Sequence, residues 1–344
     1  MTSVKEFVID IPAESDALGS GSFLFTDAYS IFDWGQMPDP IPDKGASLCV
    51  MGGYNFELLE KNGVSTHYKG VVPDGQSDPV SIDKITEPPT EMAIELTQVP
   101  DLPYTGNGYD YTSYHDEAGE NYLVPLEIVF RNRVPIGSSL RRRTDPADHG
   151  LSYDNWPESQ VELDDPIVEF STKYEESDRY LSQDEANDIA GHADIDALVS
   201  LAQQVNEIIT EHANQQGFTH EDGKIEVFYH SGELKVADVV GTFDENRFTY
   251  DGQQLSKEVL RQYHRETQSD WVTAVKEAKR RAKSTDTADW RTICDQSPEP
   301  LDNKVIQIVR DMYASGANAY IDQQLFDAPE IDSTIDEIKK LVEL

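Results

Sequence analysis

The sequence predicts an α+β fold, with strands gathered early and helices late. Three observations carry that expectation. "YLVPLEIVFRNR", residues 122–133, is an apolar run that ends in charge, as a buried strand does. "KIEVFY" and "ELKVADVV" lie either side of "HSG" and look like the two arms of a hairpin. Beyond residue 255 the apolar spacing turns helical and stays so, through "KEVLRQYHRE", "WVTAVKEAKRRAK", "NKVIQIVRDMYASG" and "TIDEIKKLVEL".

Taken in order, residues 1–72 alternate short strands and turns before a helix at "SLCVMGGYNFELLEKNG". There Leu48, Met51, Phe56, Leu58 and Leu59 supply apolar faces and Gly63 the stop. "GSGS", Gly19 to Ser22, reads as a plain turn before the strand "FLFTD", since it lacks the lysine and the following helix of a phosphate loop. Residues 73–121, rich in Pro, Gly, Asp and Tyr, look like an extended insertion, and "TDPADHGLSYDNWPESQVELDDP" like a second loop region. From Asp196, the residues Leu198, Leu201, Val205, Ile208 and Ile209 form a helical stripe that ends near Gly217.

Composition narrows the function. The 344 residues carry 65 acidic against 28 basic side chains, a formal charge of -37. Nucleic acid and anionic membrane are therefore excluded as general partners. An apolar share of 38% with 16 tyrosines and 12 phenylalanines is too high for a disordered chain. The acids are scattered through patterned segments, which suggests an acidic skin suited to a potassium-rich, halophilic cytoplasm. Two cysteines, Cys49 and Cys294, exclude a disulfide framework. "MTSVKEFVID" lacks the order of a signal peptide, and no run is long enough to span a membrane, so a cytoplasmic protein is expected. A homo-oligomer is left open.

Two constellations stand out. Glu226 and Asp238 lie on the two arms of the hairpin. A three-residue loop, Ser231-Gly232-Glu233, would place their carboxylates opposite each other on one face, fit to share Mg²⁺, with Lys224 beside them for a phosphate. A two-residue loop would set them on opposite faces, and a solvated acidic strand is the plain alternative. "RNRVPIGSSLRRR" gathers five of the 13 arginines within residues 131–143, beside a Gly-Ser turn. Arg131, Ser138 and Ser139 could cradle an anion there, the alternative being an ion-paired surface cluster. The basic helix "VKEAKRRAK" is assigned no role, and the eight histidines show no metal spacing. "FTDAYSIFDWGQMPDPIPDKG", residues 25–45, obeys no core period and reads as a rigid polar corner.

Several of these segments, in chain order, resemble one family, the purine-pathway ligases called phosphoribosylaminoimidazole-succinocarboxamide (SAICAR) synthetases. "TDAYSIFDWGQMPDPIPDKG" looks like its "TD-R-S-FD … IPGKG" block, and "VPLEIVFRNRVPIGSS" like "P-L-E-V-V-R-N … GS". "TKYEESDRYLS", "DGKIEVF … KVADVVGTFDENRF" and "LSKEVLR" follow in the family's order. The resemblance covers roughly residues 19–72 and 122–265. It implies a two-lobed core related to ATP-grasp and kinase folds, with antiparallel sheets and a helical C-terminal extension. The implied divisions are an N-terminal nucleotide-covering lobe over residues 1–121 with its insertion at about 73–121, a central catalytic lobe over 122–265, and the extension over 266–344. The implied reaction joins L-aspartate to the carboxylate of CAIR at the expense of ATP, giving SAICAR, ADP and phosphate.

By the same resemblance Glu226 and Asp238 would hold Mg²⁺ and Lys224 would act on ATP. Asp33 would be the active-site aspartate of the "FD" corner, with Lys44 and Gly45 shaping the loop. Arg131, Ser138, Ser139, Asp244 and Arg247 would bind CAIR, and Lys173 and Asp178 would serve L-aspartate. The family's Gly-Lys pair near the triphosphate is missing; the corresponding place reads "GSGS".

Overall fold

A computed structural model describes residues 5–106, 108–175, 178–285 and 289–342. Strands β1 (Lys5–Ile11) and β2 (Gly19–Phe25) form a hairpin, helix α1 (Lys44–Lys61) follows, and β3 (Tyr68–Val72) and β4 (Glu91–Leu96) complete an antiparallel sheet in the order β1-β2-β4-β3. Gly19 to Ser22 is thus strand, not turn. The glycines are there because backbone crosses close by: a Cβ on Gly21 would lie 2.1 Å from the Val8 carbonyl oxygen, and one on Gly19 2.3 Å from that of Ile11. Residues 73–121 are likewise no extended excursion, since they include β4, which pairs on both sides within the sheet, and helix α2 (Tyr111–Ala118).

A larger antiparallel sheet follows. Its strands are β5 (Asn121–Leu123), β6 (Leu126–Val134), β7 (Val161–Thr172), β8 (Tyr180–Leu181), β9 (Phe218–His230), β10 (Glu233–Ala237), β11 (Asn246–Tyr250) and β12 (Gln253–Leu255). Their order is β12-β11-β9-β6-β7-β8, with β10 and β5 on the far end of the long β9. β7 begins inside the segment expected to be a second loop. Helices α3 (Gln183–Ala190) and α4 (Ile195–Gln215) lie between β8 and β9, each opened by a capping side chain, Ser182 and Asp194.

The larger sheet has one apolar face and one charged face. Leu126, Ile128 and Phe130 alternate with Glu127, Val129 and Arg131 along β6, and Ile225 and Val227 flank Glu226 on β9. The apolar set packs with Val205 and Ile209 of α4 in the main core. Helices α5 (Glu258–Thr267), α6 (Ser269–Thr285), α7 (Asn303–Ile321) and α8 (Ile331–Val342) close the chain, with α7 packed on α1. Among the described residues no helix is long and apolar enough to cross a membrane. The two sheets meet where the stretch before β3 adds a parallel bridge, Thr66 to Val236, at the edge of β10.

Candidate active site

The charged face of the larger sheet forms the floor of the site. Residues directly opposite in a ladder share a face. Lys224 pairs with Val129, Asp222 with Arg131 and with Arg247, and Val129 with Glu169. Period two along β9 then sets Asp222, Lys224 and Glu226 in one row, with Glu127 and Arg131 beside them on β6.

The hairpin has a two-residue tip. His230 pairs with Glu233 across Ser231-Gly232, and both tip residues have positive φ, 50° and 92°, as a primed turn requires. With this register Glu226 opposes Ala237, not Asp238, so the three-residue loop expected from sequence is corrected. Asp238 nevertheless reaches Glu226's side. It lies one residue past the end of β10 with φ 61°, a left-handed turn that swings its side chain back. The imidazole of His67 supports that turn by donating from Nε2 to the Asp238 carbonyl at 3.0 Å. Burial pushes His67 down to about 4, against the opposing effect of this bond, so it is neutral near pH 7.

One ammonium ties the acids together. Lys224 Nζ lies 3.1 Å from Glu127, 3.2 Å from Glu226, 3.2 Å from Glu245 and 3.9 Å from Asp238. Lys173 also pairs with Glu226, and Lys5, from β1, with Asp238. Three lysines thus stand among four carboxylates. Burial alone would lower Lys224, yet Glu245, Glu226, Glu127 and Asp238 raise it well above its ordinary value. Asp238 is desolvated, but Lys5, Lys224 and Lys173 hold it well below the usual carboxylate range. Glu226 moves up, through burial and then the charge of Asp238. Asp238 is therefore the firmly ionised member of the pair. Lys5, Glu127 and Glu245 were not singled out from sequence; a solitary lysine in a short N-terminal strand is the faint signal that could have found the first.

The arginine cluster begins one pair further along β9. Arg131 is buried, donating to Glu169 at 2.8 Å, Asp222 at 3.2 Å and the Tyr180 hydroxyl at 3.3 Å. Arg247 donates from Nε to the same Asp222 at 2.7 Å. Arg143 donates to Glu169 at 2.9 Å and stacks 3.4 Å from the Tyr180 ring centre. Arg131 is thus an ion-paired anchor, while Arg143 and Arg247 keep solvent-facing surface, with side chains 27% and 34% exposed. The other arginines of the 131–143 run disperse: Arg133 to Glu162, Arg141 to backbone carbonyls including that of Val134 at 2.7 Å, and Arg142 to that of Gly137. Ser138 is buried, its hydroxyl accepting from Leu140 N, and Ser139 precedes the short turn of 3₁₀ helix at Leu140–Arg142.

Lys44 and Asp244 pair with each other. Both are sealed, 2.8 Å apart, with Tyr313 donating its hydroxyl to the second Asp244 oxygen at 2.7 Å. Despite burial, Lys44 and then Lys257 hold Asp244 below the usual range. Lys44, expected to shape the loop, and Asp244, expected to bind CAIR, form an ion pair that joins α1, the loop before β11 and α7. Gly45 donates its N–H to Asp27 and packs where a Cβ would lie 2.9 Å from the Phe25 carbonyl oxygen. Asp33 is 85% exposed and pairs with Lys279 of α6. Asp178 is raised, first by desolvation, then by the charges of Glu127 and Asp33.

A family model described as SAICAR synthetase matches residues 15–278. The chain belongs to the SAICAR synthetase family. An Archaeoglobus fulgidus protein that carries the synthase name provisionally is 40% identical over the whole of both chains. The phosphoribosylaminoimidazole-succinocarboxamide synthase of Thermoplasma volcanium is 32% identical over 75% of this chain and 81% of its own. Among solved structures, SAICAR synthase from Saccharomyces cerevisiae complexed with SAICAR aligns with TM-score 0.60 at 20% identity, over 94% of each chain. A SAICAR synthetase in complex with ADP aligns with TM-score 0.54 at 23% identity, over 87% of this chain and 99% of the other. At these identities the likeness is one of fold.

The donors present suit the ion expected in a SAICAR synthetase. Mg²⁺ is commonly bound through one or two carboxylates together with substrate phosphates and water, rather than by an all-protein cage. Glu226, buried, and Asp238, half-buried, supply two carboxylates of that kind. Among the described residues no group of three or more His, Cys, Asp or Glu stands ready to enclose a metal by itself.

Proposed function

We propose that this chain is an ATP-dependent ligase that joins L-aspartate to the carboxylate of CAIR, giving SAICAR, ADP and phosphate. The observation that carries the reading is the adjacency, along one face of β9, of a lysine–carboxylate cluster and an arginine cluster in a SAICAR synthetase family chain. The reaction needs both. ATP must deliver a phosphoryl group to the CAIR carboxylate, and the amine of L-aspartate must then displace phosphate.

Glu226 and Asp238 would hold Mg²⁺, which would neutralise triphosphate charge during transfer. Lys224, flanked by Lys5 and Lys173, would set fixed positive charge against the negative charge on the phosphoryl oxygens, a stabilisation that needs no reorganisation in a desolvated site. Lys5 would thereby stand in for the lysine missing from Gly19–Ser22. Arg247 and Arg143, on the open side of their cluster, would bind the anionic groups of CAIR, with Arg131 and Asp222 fixing their direction. Lys173 and Asp178, at the mouth, suit the opposite charges of L-aspartate. The ADP held by a protein of the same fold supports nucleotide use here.

The test is direct. Purified protein in high KCl, given ATP, Mg²⁺, CAIR and L-aspartate, should release SAICAR and phosphate in equal amounts. Folded protein that yields no SAICAR, or releases phosphate only with another amine, would overturn the reading.

A further inference from the structure

The polar corner at residues 25–45 is fastened by chain on both sides of residue 278, where the family match ends: Arg265 and Trp271 lie within it, and Lys279, Trp290, Arg291 and Leu301 beyond it. Phe32 and Asp33 are consecutive non-glycine residues in the left-handed region, φ 55° and 58°. Such a pair persists only where the surroundings over-determine it. Those surroundings come from α5, α6 and the turn after it. Phe32 meets Trp271 edge-on at 5.7 Å, with the Arg265 guanidinium 5.6 Å from its ring. Trp34 lies between Trp271 at 5.6 Å and Trp290 at 5.7 Å, both edge-on. Arg291 donates to the Trp34 carbonyl at 3.3 Å, and Leu301 N to Asp39 at 2.7 Å. At the centre, Lys279 lies 5.1 Å over the Trp290 ring and pairs with the Asp33 carboxylate.

The basic run "VKEAKRRAK" therefore divides its labour. Arg280 turns to Glu277 on its own helix and Arg281 to Asp295, while Lys279 alone of the three reaches the corner. We infer that Lys279 is a positioning residue for the ligase: held by Trp290, it fixes the Asp33 carboxylate, and the Trp271 and Trp290 side chains are the latch that keeps the corner in place. This rests on the ligase reading for what Asp33 does there. The Asp178 carboxyl, raised chiefly by desolvation, is raised further by the charges of Glu127 and Asp33 and lowered by Lys224 and Lys173.

The experiment is a double-mutant cycle on SAICAR formation with Lys279→Gln, Asp33→Asn and both together. Lys279→Gln should lower kcat/KM about fivefold, and the double variant should be no worse than Asp33→Asn alone, because two residues acting as one unit do not add. Lys279→Arg should restore most of the loss. Additive losses, or unchanged kinetics in Lys279→Gln, overturn the positioning role. Hydrogen exchange of residues 30–36 gives an independent readout. Faster exchange in Lys279→Gln and in Trp290→Ala supports the latch; exchange equal to the parent protein in both overturns it. If the parent protein makes no SAICAR, the functional reading falls and the exchange data alone decide the latch.

Discussion

Two of the lysine–acid sites in this molecule differ in a way that separates architecture from chemistry. Lys44 and Asp244 form a one-to-one pair, sealed from solvent, with Tyr313 completing the acid's second oxygen. Around Lys224, three ammoniums stand among four carboxylates, with the Lys224 side chain still 25% exposed. A buried pair with all its bonds made has nothing left to offer a ligand. An acid-rich cluster open on one side has charge to spare and room to rearrange. Sequence alone makes both look like site residues, because charge type is visible there and stoichiometry is not.

The comparison can be broken most forcefully at the sealed pair. Lys44→Met should leave Asp244 buried without its cation and cost about 3–5 kcal/mol in urea unfolding. Adding Asp244→Asn should recover a good part of that loss; a double variant as unstable as the sum of the singles would mean the two are not coupled. The open cluster should behave in the opposite way. Glu226→Gln and Asp238→Asn should each reduce SAICAR formation about 100-fold or more, while thermal melts change little. Asparagine tolerates the left-handed backbone at 238, so the loss would report the charge. Unchanged kinetics in both variants would remove the metal assignment.

A pH series sharpens the contrast, because a histidine underlies only the open cluster. His67, beside Asp238, and His220, buried on β9, are each pushed down to about 4, chiefly by burial. Between that value and the ordinary 6.5 the unfolded chain takes the proton and the folded one does not. Stability is therefore full above pH 6.5 and falls as pH drops towards 4, by about 2 kcal/mol per histidine at pH 5. Urea midpoints should slope accordingly, and His67→Gln should flatten the slope. The smallest expected effect belongs to the hairpin tip. Gly232→Ala, at φ 92°, should cost about 1 kcal/mol with turnover intact.

Local pattern carried much of this fold into the sequence. The stripe from Leu198 to Ile209, the strand ending at Arg133 and the late helices are all periodic, and periodicity survives any tertiary setting. Lys224 and Glu226 share a face for the same reason, whereas Asp222 joins their row only once its pairing with Arg131 and Arg247 is known. What could not be read depends on distant partners. Gly19 and Gly21 look like turn residues until the Val8 and Ile11 carbonyls are known to press on them. β4 is six residues long in a segment rich in Pro, Gly and Asp, and passes for loop until β2 and β3 enclose it. Lys5 gains its role from a residue 233 positions away, and Arg131 is claimed by acids of β7 and β9.

The kink at Asp238 has a wider consequence. An odd tip with an extended residue at 238 and an even tip with a left-handed one deliver the same carboxylate to the same place. Length and torsion are thus interchangeable currencies in this ribbon, and related proteins that differ by one residue at the tip can still share one arrangement of acids. Equivalence between such hairpins should accordingly be judged by where the oxygens end, since counting positions would misalign them. Valine or isoleucine at 238 would close the torsional route and force the tip to change instead.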